Sequence, residues 1–353
     1  MTEPKLPSPF LPGTQIRFAW DSTCLSALKT CPRLYQYLYV DFWGHPGESI
    51  HLRFGQEYHQ ALQDYDKSRA LGIPHEDAIH DVVRELILRT SEWVVDEDTK
   101  AGRYKNRKTV VQAVINYLDA HKDDPAQTYI MQDGKPAVEL SFRFELDWGP
   151  QAGTSTEGLQ IVEERKVEPE VEGGISYGSH EVIMQFPMGQ PYLLCGHLDR
   201  VVTFSDNLFV MDHKTTTSTP GPYWFDQWSP SNQMTLYSIA AQVILGSPVK
   251  GVIINAAQLL LEPPYTKFVR GMTFRTADQQ EEWLNDLRHW LSLAEAYATE
   301  GYFPMNDTAC DKFGGCRFRE VCSKSPQVRE RFLESDFTKL SEEERWNPLK
   351  SRV

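Results

Sequence analysis

The chain has 353 residues, enough for one large domain or two ordinary ones, and its 41% hydrophobic and 12% aromatic content is ample for a packed core. Its 36 lysines and arginines against 49 acids leave a net charge of −13, a field that repels polyanions and argues against a protein that coats nucleic acid without regard to sequence. No stretch approaches the roughly 18 uninterrupted apolar residues of a membrane-spanning helix, and the opening MTEPKLPSPFLPG lacks the basic-then-apolar build of a secretory signal. The expectation is a cytoplasmic protein, of a bacterial or phage-infected cell, with no membrane association.

After the Pro-rich opening, Asp21-Ser22-Thr23 reads as a helix N-cap, and an amphipathic run to about residue 39 carries Cys24 and Cys31, seven apart and so on roughly one face. Residues 50–71 form a second helical pattern in which Gly55 and His59, four apart, project to one side. Further helical patterns follow Pro74 and Lys105. The run 100–108, with Arg103, Lys105 and Arg107, supplies local positive charge and reads equally as a solvated helix start.

From about residue 136 the period changes. VELSFRFEL, LQIVEERKV, YLLCGHLDRVVTF and NLFVMDHKT are short, β-rich and broken by Gly, Asn or Asp, which predicts a sheet. Residues 168–189 read as an elaborated loop. SPSNQMTLYSIAAQVILG predicts a helix, VIINAAQLLL and FVRGMTF two more strands, and residues 277–300 a long helix leading to a cysteine-rich end. A charged tail from Arg329 onward is expected to be peripheral.

The segment around Asp199 and Asp212-His213-Lys214-Thr215 carries the most chemistry. A turn at 205–207 makes it a β-hairpin with Asp199 on one strand. Asp212 and Lys214, two apart, share a face of the next strand. Two carboxylates and an ammonium can then converge, a grouping suited to phosphodiester hydrolysis. The carboxylates would hold Mg²⁺ or Mn²⁺, with the His213 backbone carbonyl as a further ligand, and the lysine would orient or deprotonate the attacking water. Glu164-Arg165-Lys166, with Asp147 upstream, also fits an acid-x-lysine pattern, but it sits in a highly charged stretch typical of a solvated strand edge and reads as a decoy.

These residues resemble the RecB-like branch of the PD-(D/E)XK nuclease superfamily, which includes helicase-nuclease subunits, CRISPR-associated adaptation nucleases and phage exonucleases. The resemblance covers most of the chain. A G-x-x-x-H matches Gly55 and His59, a G-h-x-D matches Gly196 and Asp199, a D-x-K-T matches Asp212, Lys214 and Thr215, and a Q-x-x-x-Y matches Gln233 and Tyr237. It implies that His59, Asp199 and Asp212 hold the metal, that Lys214 serves the water, and that Gln233 and Tyr237 support the site or contact DNA. Glu139 resembles an acidic position of the family and reads equally as a structural strand residue.

Six cysteines in a reducing compartment point to a metal or cluster rather than disulfides. Cys310, Cys316 and Cys322 fall within thirteen residues, where Gly314-Gly315 lets the chain curl. Three thiolates need a fourth ligand. The segment around Cys31 resembles the family's N-terminal cysteine motif, which implies a Cys31, Cys310, Cys316 and Cys322 set for a [4Fe-4S] cluster tying the two ends of the chain together. Cys24 is the reserve fourth ligand, and zinc the alternative metal. The sequence departs from the family pattern in placing five residues, not two, between Cys310 and Cys316. Cys195 reads as a buried strand residue, and Lys312, Arg317, Arg319 and Lys324 as cations able to grip phosphates.

The resemblance implies an α/β, restriction-endonuclease-like core with a mixed central sheet flanked by helices, an N-terminal helical region and a C-terminal cluster segment. The expected organisation is a single nuclease domain over 1–328, divided into helical region 1–130, catalytic sheet 131–275 and cluster segment 276–328, with a tail at 329–353. The expected activity is that of a deoxyribonuclease, an exonuclease at DNA ends or on single strands, and the sequence leaves recombination, repair, phage genome processing and CRISPR adaptation all open as its pathway. The alternative is a non-catalytic DNA-binding or assembly protein that keeps the fold and cluster. No Walker-type motif is present, so a helicase or recombination partner would be a separate chain; self-association into a homo-oligomer is a further expectation.

Overall fold

The computed structural model describes residues 8–44, 47, 49–150, 190–311 and 315–349. The predicted strand at 159–167, the Glu164/Lys166 decoy, the loop 168–189 and Lys312 lie outside the described residues.

In chain order the elements begin with β1 (Ala19–Trp20), α1 (Ser22–Thr30), α2 (Pro32–Tyr35), β2 (Trp43–Gly44), α3 (Ile50–Ala70), α4 (His75–Arg89), α5 (Lys100–Tyr104) and α6 (Arg107–Ala120). The sheet segments and their crossovers follow as β3 (Gln127–Thr128), β4 (Val138–Glu145), β5 (Leu193–Phe204), β6 (Asn207–Thr216), α7 (Pro222–Asp226), α8 (Asn232–Leu245), β7 (Gly251–Leu259) and β8 (Thr266–Thr273). The chain closes with α9 (Ala277–Glu300), α10 (Arg319–Ser323), α11 (Arg329–Asp336) and β9 (Thr338–Lys339). Two compact units alternate along the sequence. One comprises the described parts of 1–46, 141–196 and 282–353, the other those of 47–140 and 197–281.

The second unit holds a mixed sheet. β5 and β6 form an antiparallel hairpin closed at Ser205-Asp206, whose φ angles of 48° and 60° give the left-handed turn that matches strand twist. β6 runs parallel to β7, the connection passing through α7 and α8, and β8 returns antiparallel to β7. All nine residues of β7 are buried, which requires cover on both faces. Ala257 and Leu259 join an apolar core with Phe54, Tyr58 and Leu62 of α3, Val82 and Leu86 of α4, and Val110, Val114 and Leu118 of α6. Helix α8 packs on β6 and β7 and stops at Gly246 in the left-handed conformation. This is the mixed α/β, restriction-endonuclease-like arrangement that the sequence implies.

In the first unit β1 pairs in parallel with the start of β5, Ala19 opposite Leu193. The helix expected to run unbroken to residue 39 instead breaks at Cys31, which is extended at φ −163°. Pro32 has no N–H for the preceding turn and starts α2 at its first position. Cys24 and Cys31 therefore do not share one helix face. The segment beyond Arg329 is not peripheral either: α11 buries Leu333 beside Tyr37, Phe318 and Val321, and β9 pairs antiparallel with β2. Apolar residues spaced through a charged stretch, Phe332, Leu333 and Phe337, supply that packing. Among the described residues no helix is long and apolar enough to cross a membrane.

Candidate active site

The β5–β6 ladder runs from Phe204↔Asn207 to Arg200↔Met211. One position further, Asp199 takes over with its side chain: Asp199 Oδ2 accepts the His213 N–H at 3.0 Å. The same oxygen stands 3.3 Å from His59 Nδ1, on α3. Alternation along β6, which β7 holds through Asp212↔Ile254 and Lys214↔Ala256, sends Asp212 and Lys214 to the face opposite His213. Lys214 Nζ lies 2.7 Å from Asp212 Oδ2 as an ion pair. Asp212 is 1% exposed.

Electrostatics separate the two carboxyls. Burial works to raise Asp199, but His59 beside it, and after it Lys214, outweigh burial and hold it well below the ordinary carboxylate range. Asp212 goes the other way: burial pushes it up, Lys214 only partly offsets this, and the Asp199 charge adds to the rise. Burial works against a charged His59, and Asp199 reverses the balance, so its imidazole is raised.

His213 is buried among polar groups. Asn255 Oδ1 lies 3.4 Å from Arg270 Nε, which turns the Asn255 amide nitrogen towards Tyr117 Oη at 2.8 Å and His213 Nδ1 at 3.3 Å. Burial pushes His213 well below its ordinary value, so the ring is neutral. With Nδ1 accepting, the proton sits on Nε2, which has no partner among the described residues.

Residues 22–323 match the model of the PD-(D/E)XK nuclease superfamily. The chain belongs to this superfamily. A crystal structure at 2.19 Å resolution of a candidate exonuclease from Eubacterium rectale is similar over 88% of this chain and 89% of its own, at 10% identity and a TM-score of 0.42. No curated protein matches.

Within this PD-(D/E)XK chain the structure brings His59, Asp199, His213, Asp212 and Lys214 together. It adds Glu139, for which the sequence left two readings open: with His59, Asp199, His213, Gln63 and Asp66, Glu139 lines one small cavity. Its φ of 52° is a left-handed conformation in which a glutamate is strained, and no sequence period signals it. Gln233 and Tyr237 are tied to each other on α8, Gln233 Nε2 donating to Tyr237 Oη at 2.9 Å. Of the two motif glycines, only Gly196 is sterically required. A Cβ there would stand 2.5 Å from the Phe142 ring, whereas one at Gly55 meets nothing within 4 Å.

The cysteines divide into two groups. Asn306 N–H donates to Cys31 Sγ at 3.3 Å, and the Cys316 N–H to the Cys310 carbonyl at 2.8 Å. Burial raises the Cys310 thiol, and Cys316 and Cys31 are near enough to raise it further. Cys322 is raised by burial, against Arg33 and Arg329, with Cys31 and Cys316 adding to the rise. Cys24 answers instead to burial, Arg17, Asp21 and Cys195. Cys195 is a fully buried strand residue. Arg319 pairs with Asp311, and Lys324 with Glu320 at 4.0 Å. Among the described residues, no three histidine, cysteine or carboxylate side chains stand close enough to hold a metal ion as they are placed.

Proposed function

We propose that this chain is a metal-dependent deoxyribonuclease of the RecB-like branch, acting as an exonuclease at DNA ends or on single strands within one nuclease domain. The observation that carries the reading is the meeting of the buried Asp212, the mostly buried Asp199 and Lys214 on the β5–β6 hairpin, with the two carboxyls shifted in opposite directions.

The donor set fits a hard divalent cation. Asp212 Oδ2 is buried with Lys214 Nζ as its ion-pair partner among the described residues, and Asp199, His59 and the His213 carbonyl complete an oxygen-rich group suited to Mg²⁺ or Mn²⁺. When bound, the ion polarises the phosphate and neutralises charge that develops on it. Asp199, ionised at any ordinary pH, fixes the end of β6 through the His213 N–H. Lys214, on the face shared with Asp212, orients the attacking water, and would deprotonate it only from its neutral amine form. Gln233 and Tyr237 support the site from α8 or contact the strand. A helicase or recombination partner and self-association belong to the same reading.

The cysteine chemistry supports a second centre of structural role. Cys31 and Cys316 lie near enough to both Cys310 and Cys322 to add to the rise that burial gives those two thiols, and four thiolates suit a [4Fe-4S] cluster, with zinc the alternative. Ligation energy there would become folding energy.

Digestion of end-labelled single- and double-stranded DNA in Mg²⁺ or Mn²⁺ tests the catalytic reading. Wild type should cleave, and Asp212→Ala and Lys214→Ala, shown to be folded, should lose about 10²- to 10⁴-fold in rate. Equal inertness of all three on every substrate would replace it with the DNA-binding or assembly reading.

A further inference from the structure

The basic run 100–108 plays no part in the site described so far. Lys100, Arg103 and Lys108 are exposed, as a solvated helix start would be. Lys105 is not: it is 7% exposed. It caps the end of α5, and the next residue, Asn106, caps α6 by accepting the Thr109 N–H at 2.9 Å while donating to the Gly102 carbonyl at 2.8 Å. Gly102 is packed so tightly that a Cβ would lie 2.0 Å from the Asp96 carbonyl oxygen. The junction therefore fixes the lysine backbone.

Among the described residues no carboxylate pairs with Lys105. Its Nζ reaches one polar partner, Thr215 Oγ1 at 3.5 Å, and lies 5.5 Å from the centre of the Phe54 ring. His51, one turn before Phe54 on α3, has its imidazole lowered by burial and, after that, by the Lys105 ammonium. Burial pushes the ammonium below its ordinary value with nothing to offset it. A buried cation is costly unless an anion completes it, and an ammonium has three donors to satisfy. Thr215 directly follows Lys214, so this cation stands beside the strand that carries the reacting lysine.

We propose that Lys105 and Thr215 form a subsite for a phosphodiester of the nucleic-acid strand, distinct from the phosphodiester presented to Asp199, Asp212 and Lys214. The proposal rests on the nucleolytic reading above. The subsite anchors a second point on the strand and so sets its register. It recognises the phosphate alone and carries no base preference. The lysine lowers the stability of the free protein in exchange for affinity.

Lys105→Met, which keeps the apolar stem and removes the charge, separates this from a packing role. Both Asp212→Asn and Asp212→Asn/Lys105→Met would be titrated, in Mg²⁺, with fluorescein-labelled oligothymidylate by anisotropy over a range of salt, beside thermal unfolding of each. The proposal expects about tenfold or greater loss of affinity. The salt slope should become shallower by about 0.7, and the unfolding midpoint should be unchanged or higher. Lys105→Arg in the same background should restore most of the affinity. Unchanged affinity and slope, or a lower midpoint with unchanged binding, overturns the subsite and makes Lys105 structural. Were Lys105→Met not to fold, wild-type affinity in Lys105→Gln would overturn it equally. Failure of Asp212→Asn itself to bind the oligonucleotide would count against the nucleolytic reading first, a result distinct from a difference between the two variants.

Discussion

Residues 212–214 sit on a strand held along its length by β7, with every side-chain direction set by the alternation of the sheet. Cys310 follows a short 3₁₀ turn, Cys316 lies in a loop and Cys322 in the five-residue α10, with backbone hydrogen bonds such as Cys316 N–H to the Cys310 carbonyl between them. The strand delivers its groups ready-placed: an ion pair at 2.7 Å and a carboxylate capping a backbone N–H at 3.0 Å. The turns bring thiols near one another without fixing how they point. A sheet can pre-organise a catalytic group before any ligand arrives, whereas turns leave the last adjustment to whatever the thiols bind.

That contrast can be broken at four points, taken from the largest effect down. Cys31→Ser should abolish bound iron or zinc in anaerobically purified protein, measured by metal analysis and visible absorbance, while Cys24→Ser keeps it; the opposite pattern would exchange the two cysteines. On the sheet side, Leu259→Ala removes a side chain 3% exposed in the α3, α4 and α6 core. It should cost about 2–5 kcal/mol in urea denaturation. Gly196→Ala drives a methyl into Phe142 and should cost about 1–3 kcal/mol. Gly55→Ala has open space and a helical backbone, so it should stabilise by about 0.5–1 kcal/mol. Equal effects at the two glycines would show that Phe142 yields.

Much of this site can be read from residue types and spacing. Asp212 and Lys214 two apart, a turn at 205–207, an apolar approach to the strand and the helix-to-sheet change near residue 136 all survive into the fold, because strand alternation is local geometry. The approach of His59 to Asp199 is not local: 140 positions separate them, and only the order of the family's motifs placed them together. Glu139 keeps two readings in the sequence because a left-handed φ at the start of β4 leaves no periodic mark. The break at Cys31 escaped because Pro32 suits a helix start as well as a helix end. Lys105 escaped because burial of one cation in a basic run is decided by the α5–α6 junction, in which Gly102 and Asn106 read only as ordinary helix punctuation.

The central claim, that Asp212 is a metal-binding catalytic carboxylate, makes stability and activity move in opposite directions. Its folded-state pKa is raised. The stability it contributes is therefore present at low pH and lost as pH rises through that pKa, and at neutral pH its charge burdens the metal-free protein. Thermal unfolding and DNA cleavage of wild type and Asp212→Asn at neutral pH, with and without Mg²⁺, test this together. The account predicts that Asp212→Asn unfolds no lower than wild type without metal, gains less than wild type from added Mg²⁺, and does not cleave. An Asp212→Asn protein that cleaves at the wild-type rate, or gains as much from Mg²⁺, would contradict it.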